Sequence, residues 1–223
     1  MDKKLFASAL IKFFAGLLLV GLLIFLPAGT FDFWQGWLLL GVLFVPMFAA
    51  GLVMMAKSPE LLRSRLNAKE EQTEQKTVVA LSGLMFLAAF VLAGLNRRFL
   101  WALLPDAVSW IAAAVFLLAY ALYAEVLREN AWLSRTIEVQ EGQKVVDTGL
   151  YGIVRHPMYA VTLPLFLSMP LILGSLLAFA VTLIYVPIIV LRIRNEEQVL
   201  ERDLEGYAEY KTRVRYRLIP HVW

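Results

Sequence analysis

Residues 160–191, AVTLPLFLSMPLILGSLLAFAVTLIYVPIIVL, carry no charge, and how they fold decides the architecture. Read as one helix at 1.5 Å per residue, the stretch would run for roughly 48 Å, well past the ~30 Å hydrocarbon core of a bilayer. Two full crossings would need about 40 residues plus a turn. Pro164, Pro170 and the pair Gly174-Ser175 lie inside it, and Pro and Gly are where such helices bend or break. The stretch is therefore expected to form a short helical hairpin turning within residues 169–175, with arms of about 14–16 residues.

Four further apolar blocks precede it: residues 5–26, interrupted by Lys12; 34–56, with Trp34 and Trp37 as interfacial anchors; 78–95; and 108–127, where Glu125 is the one acid at span depth. Hydrophobic residues make up 60% of the chain and charged residues only 17%, against about 25% charge in a soluble domain. Lys3 and Lys4 precede the first block as they would in a signal peptide, but no small-x-small cleavage site comes before Trp34, so a span is expected there. With the N-terminus inside, 19 of the 21 Lys and Arg residues fall on the cytoplasmic side and only Arg97 and Arg98 outside. That split follows the positive-inside rule only if the last block crosses twice. The expected fold is an all-α integral membrane protein: four full transmembrane helices, a C-terminal helical hairpin and a cytoplasmic amphipathic C-terminal helix. Residues 1–128 form the four-span region and residues 129–223 a catalytic region within the same membrane domain. Both termini and the active site are expected on the cytoplasmic face.

Three polar segments remain. Residues 58–77 open with Ser58-Pro59-Glu60, a helix start, and Leu61, Leu62 and Leu66 give them an apolar stripe. Residues 136–140 alternate like a short strand, Glu141-Gly142-Gln143 is a turn, residues 144–146 are extended, and Asp147-Thr148-Gly149 is a second turn. The tail is expected to be helical from Arg192 to about Arg217, with Pro220 as its stop. Its seven basic residues suit anionic headgroups.

The chain has no cysteine and two histidines, which argues against thiol chemistry and a histidine-rich metal centre; neither a metal nor a nucleic-acid partner is expected. P-loop, dinucleotide, zincin and serine-hydrolase motifs are all missing. Two polar clusters bracket the hairpin instead: Tyr151, Arg155, His156, Pro157 and Tyr159 on entry, and Arg192, Arg194, Glu196 and Glu197 on exit. A hairpin returns both to one surface. Arg192 and Glu196 are four apart on a helix and share a face. Physically the clusters read equally as a site for a polar ligand or as a snorkelling Arg with an ion pair and interfacial tyrosines.

Residues 144–159 (KVVDTGLYGIVRHPMY), the apolar hairpin, residues 192–200 (RIRNEEQVL) and the pair Tyr207, Tyr210 together resemble the isoprenylcysteine carboxyl methyltransferase family, which has phospholipid N-methyltransferase relatives. The resemblance covers about the last 80 residues. Arg-His-Pro-x-Tyr alone is also similar to membrane sterol reductases. The resemblance implies an S-adenosylmethionine (SAM) cofactor bound by Lys144, Val145, Val146, Tyr151, His156, Pro157, Met158, Tyr159, Arg192 and Glu196. It also implies a lipid-like or prenylated methyl acceptor reached through membrane lipid. Arg192, Glu196 and His156 are the candidate catalytic residues: Arg192 would orient a carboxylate acceptor, whereas an amine would need Glu196 or Glu197 as base. Carboxylate O-methylation is the favoured reaction and phospholipid amine N-methylation the other. Two departures concern the acceptor pocket: Val161 stands where a Gly is common, and Leu204-Glu205-Gly206-Tyr207 replaces a longer Phe-Gly segment. The alternatives are an NADPH-dependent membrane reductase sharing the hairpin motif, and a non-enzymatic lipid-binding membrane protein.

Overall fold

The structure is a computed structural model that describes residues 3–66, 73–130, 132–133 and 139–223. In chain order the helices are α1 (Lys3–Ala28), α2 (Trp34–Lys57), α3 (Pro59–Leu66), α4 (Thr73–Phe99), α5 (Asp106–Glu129), a 3₁₀ turn (Gly149–Gly152), α6 (Pro157–Ile172), α7 (Leu176–Thr182), α8 (Tyr185–Asp203) and α9 (Tyr207–Arg213). No strand forms among the described residues; Leu103 and Ser175 make an isolated bridge. Among the described residues five helical stretches are long and apolar enough to cross a membrane: Lys4–Ala28, Trp34–Lys57, Lys76–Phe99, Asp106–Glu129 and Leu176–Asp203, the last formed by α7 and α8 together. The chain is an integral membrane protein.

The charge-free stretch folds back on itself. α6 ends at Ile172, Gly174 turns the chain at φ +66°, and the Ser175 side chain caps α7 by accepting from Ala178 N–H (3.2 Å). The tip is held by the α4–α5 connection: Leu104 N–H donates to Gly174 O (2.9 Å) and Leu176 N–H to Ala102 O (3.3 Å). Ala102 is in turn held by the fully buried Asn96 side chain through both its N–H and its carbonyl. The hairpin thus reaches the end of the bundle that carries Arg97 and Arg98. The arms are unequal, however. α6 has the expected 16 residues, but the returning arm runs to Asp203. It is interrupted only at Leu183–Ile184, where Pro187 offers no N–H and the Leu183 carbonyl takes Val186 N–H (3.1 Å) instead. α6 packs along α5, α7 along α4, and α1 against α4 and α2.

Gly94 sets the α1–α4 approach, since a Cβ there would lie 2.4 Å from the Ile24 carbonyl oxygen. Trp37 donates to Phe31 O (2.9 Å) and Trp34 stacks on Trp110 at the same end of the bundle. Lys12 donates to Leu66 O (2.6 Å) at the C-terminus of α3, and Glu125 pairs with Arg128 in the last turns of α5.

Two expectations change, and a third falls largely outside the described residues. The tail is not one helix to Arg217: α8 stops at Asp203, Gly206 takes a left-handed conformation (φ +81°), and only Tyr207–Arg213 is helical before Val214 becomes extended. The cause is burial, because Leu204, Tyr207, Tyr210 and Val214 turn inward against Val139 and Val145. The helix expected over residues 58–77 is realised as Pro59–Leu66, with α4 beginning already at Thr73 and residues 67–72 outside the described set. Of the strand expected at 136–140, residues 136–138 lie outside the described residues; the turn after it forms, with Gln143 N–H donating to Gln140 O (3.0 Å).

Candidate functional site

The site grows from the junction of α5, the 139–156 loop and α8. Gly149 adopts φ +54°, and the Glu129 carboxylate at the end of α5 accepts from Leu150 N–H (2.9 Å), so a Cβ at Gly149 would collide with it. This fixes the 3₁₀ turn that buries Tyr151, whose carbonyl accepts from the Tyr210 hydroxyl (2.7 Å). The chain then runs beside the tail. Arg155 N–H donates to Tyr216 O (2.8 Å) and His156 N–H to Arg217 O (2.9 Å), after which Pro157 opens α6.

Adjacent glutamates on α8 serve two separate networks. Glu197 is 3% exposed and fully engaged: Arg155 Nε donates to Oε1 (2.7 Å), Arg217 Nε to Oε2 (2.8 Å), and His156 Nε2 stands 3.3 Å from Oε1. Arg155, 6% exposed, spends another nitrogen on the carbonyls of Val214 (2.9 Å) and Arg215 (2.7 Å). A carboxylate between two guanidinium groups can only accept, so His156 Nε2 is the donor in that contact, and Nδ1 is turned toward Glu196, 4.0 Å from its Oε1. Glu196 accepts from the Tyr159 hydroxyl (2.5 Å), which itself accepts from Arg192 Nε (2.9 Å). The shared face of Arg192 and Glu196 is therefore bridged by a tyrosine from the other arm of the hairpin.

These groups border a cleft that is partly open to solvent. Of the residues singled out from sequence, Lys144, Val145, Val146, Tyr151, His156, Met158, Tyr159, Arg192 and Glu196 all line it. Pro157 does not; it is the buried first residue of α6. Sequence reasoning missed Asn130, Trp132 and Leu133, which follow α5 and also line the cleft, and Arg217, which pairs with Glu197. Tyr207 and Tyr210 line it as well; burial pushes both phenols up from their ordinary pKa, as it does Tyr151, so all three stay protonated. Among the described residues no cluster of three His, Cys, Asp or Glu is placed to hold a metal ion.

The phospholipid methyltransferase family model matches residues 107–205. The match runs from the start of α5 to the break after α8 and takes in the cleft's loop, hairpin and glutamate pair. It supports a membrane methyltransferase. Over 91 residues the chain is also 36% identical to the Delta(14)-sterol reductase TM7SF2 of Mus musculus, an alignment covering 40% of this chain and 22% of that protein. The chain thus matches about a fifth of the length of that curated relative.

Proposed function

We propose that the cleft is the SAM site of a membrane methyltransferase acting on a lipid-like or isoprenylated acceptor. One observation carries this reading: the loop at residues 144–159 and the polar turn of α8 at residues 192–196, far apart in sequence, wall a single cleft at the open end of the hairpin. The lining suits a ligand with an apolar ring system and a charged end, since Val145, Val146 and Leu133 lie alongside Glu196, Arg192 and Lys144. When bound, SAM supplies an electrophilic sulfonium methyl, whose C–S electron pair leaves with sulfur as the acceptor's lone pair forms the new bond.

For such a displacement the protein's work is placement and electrostatics. Glu196, steadied by the Tyr159 hydroxyl, offers a carboxylate to a ligand ammonium. Arg192 stands beside it and would orient a carboxylate acceptor by charge-assisted hydrogen bonding. His156 is held in orientation by Glu197. With both of its oxygens engaged, Glu197 drops out as a base, so with an amine acceptor that role falls to Glu196 or to His156 Nδ1.

The acceptor would enter between helices from the bilayer. Carboxylate methylation is the favoured reaction; the phospholipid methyltransferase match favours an amine as the second. Purified protein incubated with methyl-labelled SAM and a membrane lipid extract should move label into the lipid fraction. Mild alkali releases it as volatile methanol if the product is an ester and leaves it in place if the product is an N-methyl amine. No transfer of label contradicts the proposal. The stretch shared with the sterol reductase gives a reductase reading its own test, a thermal shift with NADPH and none with SAM.

A further inference from the structure

One buried side-chain polar atom at the cleft has no partner among the described residues. Tyr207 lines the cleft and is 3% exposed, yet its hydroxyl makes no hydrogen bond among the described residues. The neighbouring phenols are satisfied: Tyr210 donates to Tyr151 O, and the Tyr159 hydroxyl is engaged on both sides. A buried hydroxyl left without a partner is destabilising, and native structures rarely contain one without a reason. Packing does not supply that reason. The Tyr207 ring packs with Leu204, Tyr210 and Val214, which phenylalanine would do equally well.

We infer that the Tyr207 hydroxyl is a cofactor contact, hydrogen-bonding a polar atom of the ligand held between residues 144–146 and α8. The inference rests on the cofactor reading of the cleft given above. Its place in the fold selects the cofactor over the acceptor. Tyr207 opens α9, beyond the last apolar helix, and the preceding Gly206 lies against the cofactor loop, where a Cβ would be 3.9 Å from Val145 Cγ2. An apolar acceptor arrives instead from the bilayer side of α6 and α8. Burial and the nearby Glu197 and Glu196 carboxylates raise the phenol's pKa, so it stays protonated, able both to donate and to accept. The family match ends at residue 205 and assigns nothing to Tyr207.

The test uses the purified full chain and its Tyr207→Phe variant, titrated calorimetrically with S-adenosylhomocysteine in the absence of any acceptor, together with thermal unfolding of both. The variant should unfold at the same temperature as wild type or higher, while binding roughly three- to tenfold more weakly. Tyr210→Phe, which loses a satisfied hydrogen bond, should unfold at a lower temperature. Equal affinity in wild type and Tyr207→Phe overturns the inference and leaves the cofactor reading intact. A lower unfolding temperature for Tyr207→Phe also overturns it, because the hydroxyl would then serve the fold. Wild-type protein that does not bind S-adenosylhomocysteine takes down the cofactor reading itself, and the inference with it.

Discussion

The first two helices and the fold-back region are built on opposite principles. Only 11% of the apolar stretch of α1 and of α2 is buried, against 33% of the α7–α8 arm. The exposed remainder, such as Leu18, Leu22 and Val45, suits lipid. Association there depends on close approach of small residues, with Gly94 set against the Ile24 carbonyl. In the second region polarity goes inside. Of the nine buried polar or charged residues among those described, seven lie between Arg155 and Glu197, three of them ionisable. Burying charge is costly unless it is paired and hydrogen-bonded, and the Arg155–Glu197–Arg217 cluster meets that condition. The charged members of this group, Arg155, His156 and Glu197, lie at the cleft proposed above as the reaction site.

That contrast can be broken from either side. The largest effect is expected from Arg155→Ala, which leaves Glu197 buried beside a lost partner and frees the Val214 and Arg215 carbonyls. About 3–5 kcal/mol of stability should go, read as a large fall in unfolding temperature or failure to recover folded protein. A change below about 1 kcal/mol would mean the cluster is not buried as described. Next comes Gly94→Ala, which forces α1 and α4 apart at backbone level and should cost about 1–3 kcal/mol by thermal unfolding. Gly21→Ala and Gly83→Ala, where a Cβ meets nothing within 4 Å, should be neutral or slightly stabilising through helix propensity. Similar losses at all three would remove close packing as the explanation for Gly94. The smallest effect is expected from Asp147→Ala, which breaks a pair with Arg213 at 2.8 Å whose side chains are 57% and 36% exposed for Arg213 and Asp147. It should cost no more than about 1 kcal/mol, and less in high salt.

The hairpin was legible because its signals are local. A charge-free run too long for one crossing, Gly174-Ser175 at the middle, and basic residues on both flanks leave little choice of fold. The cleft walls were legible through the resemblance, which carried the motif residues on both sides. The tail was not. Helical spacing runs on past Asp203, and the break depends on Gly206 together with inward burial of Leu204 and Tyr207 against Val145, a contact with no signature in the local sequence. The pairing of residues 155–156 with 216–217 runs through backbone groups, which no side-chain pattern reports. Glu196 and Glu197 were both candidate bases for an amine acceptor, but successive helical residues point in different directions, so one faces the cleft and the other is locked in the Arg155–Arg217 pair.

The central claim is that the fold-back builds a SAM site in which Glu196 is a binding group. Calorimetric titration of the purified protein with SAM tests it most directly, alongside Glu196→Ala checked by thermal unfolding. Saturable binding by wild type, at least tenfold weaker in a Glu196→Ala variant that remains folded, is the expected result. No binding by wild type, or binding that Glu196→Ala leaves unchanged, would contradict the account.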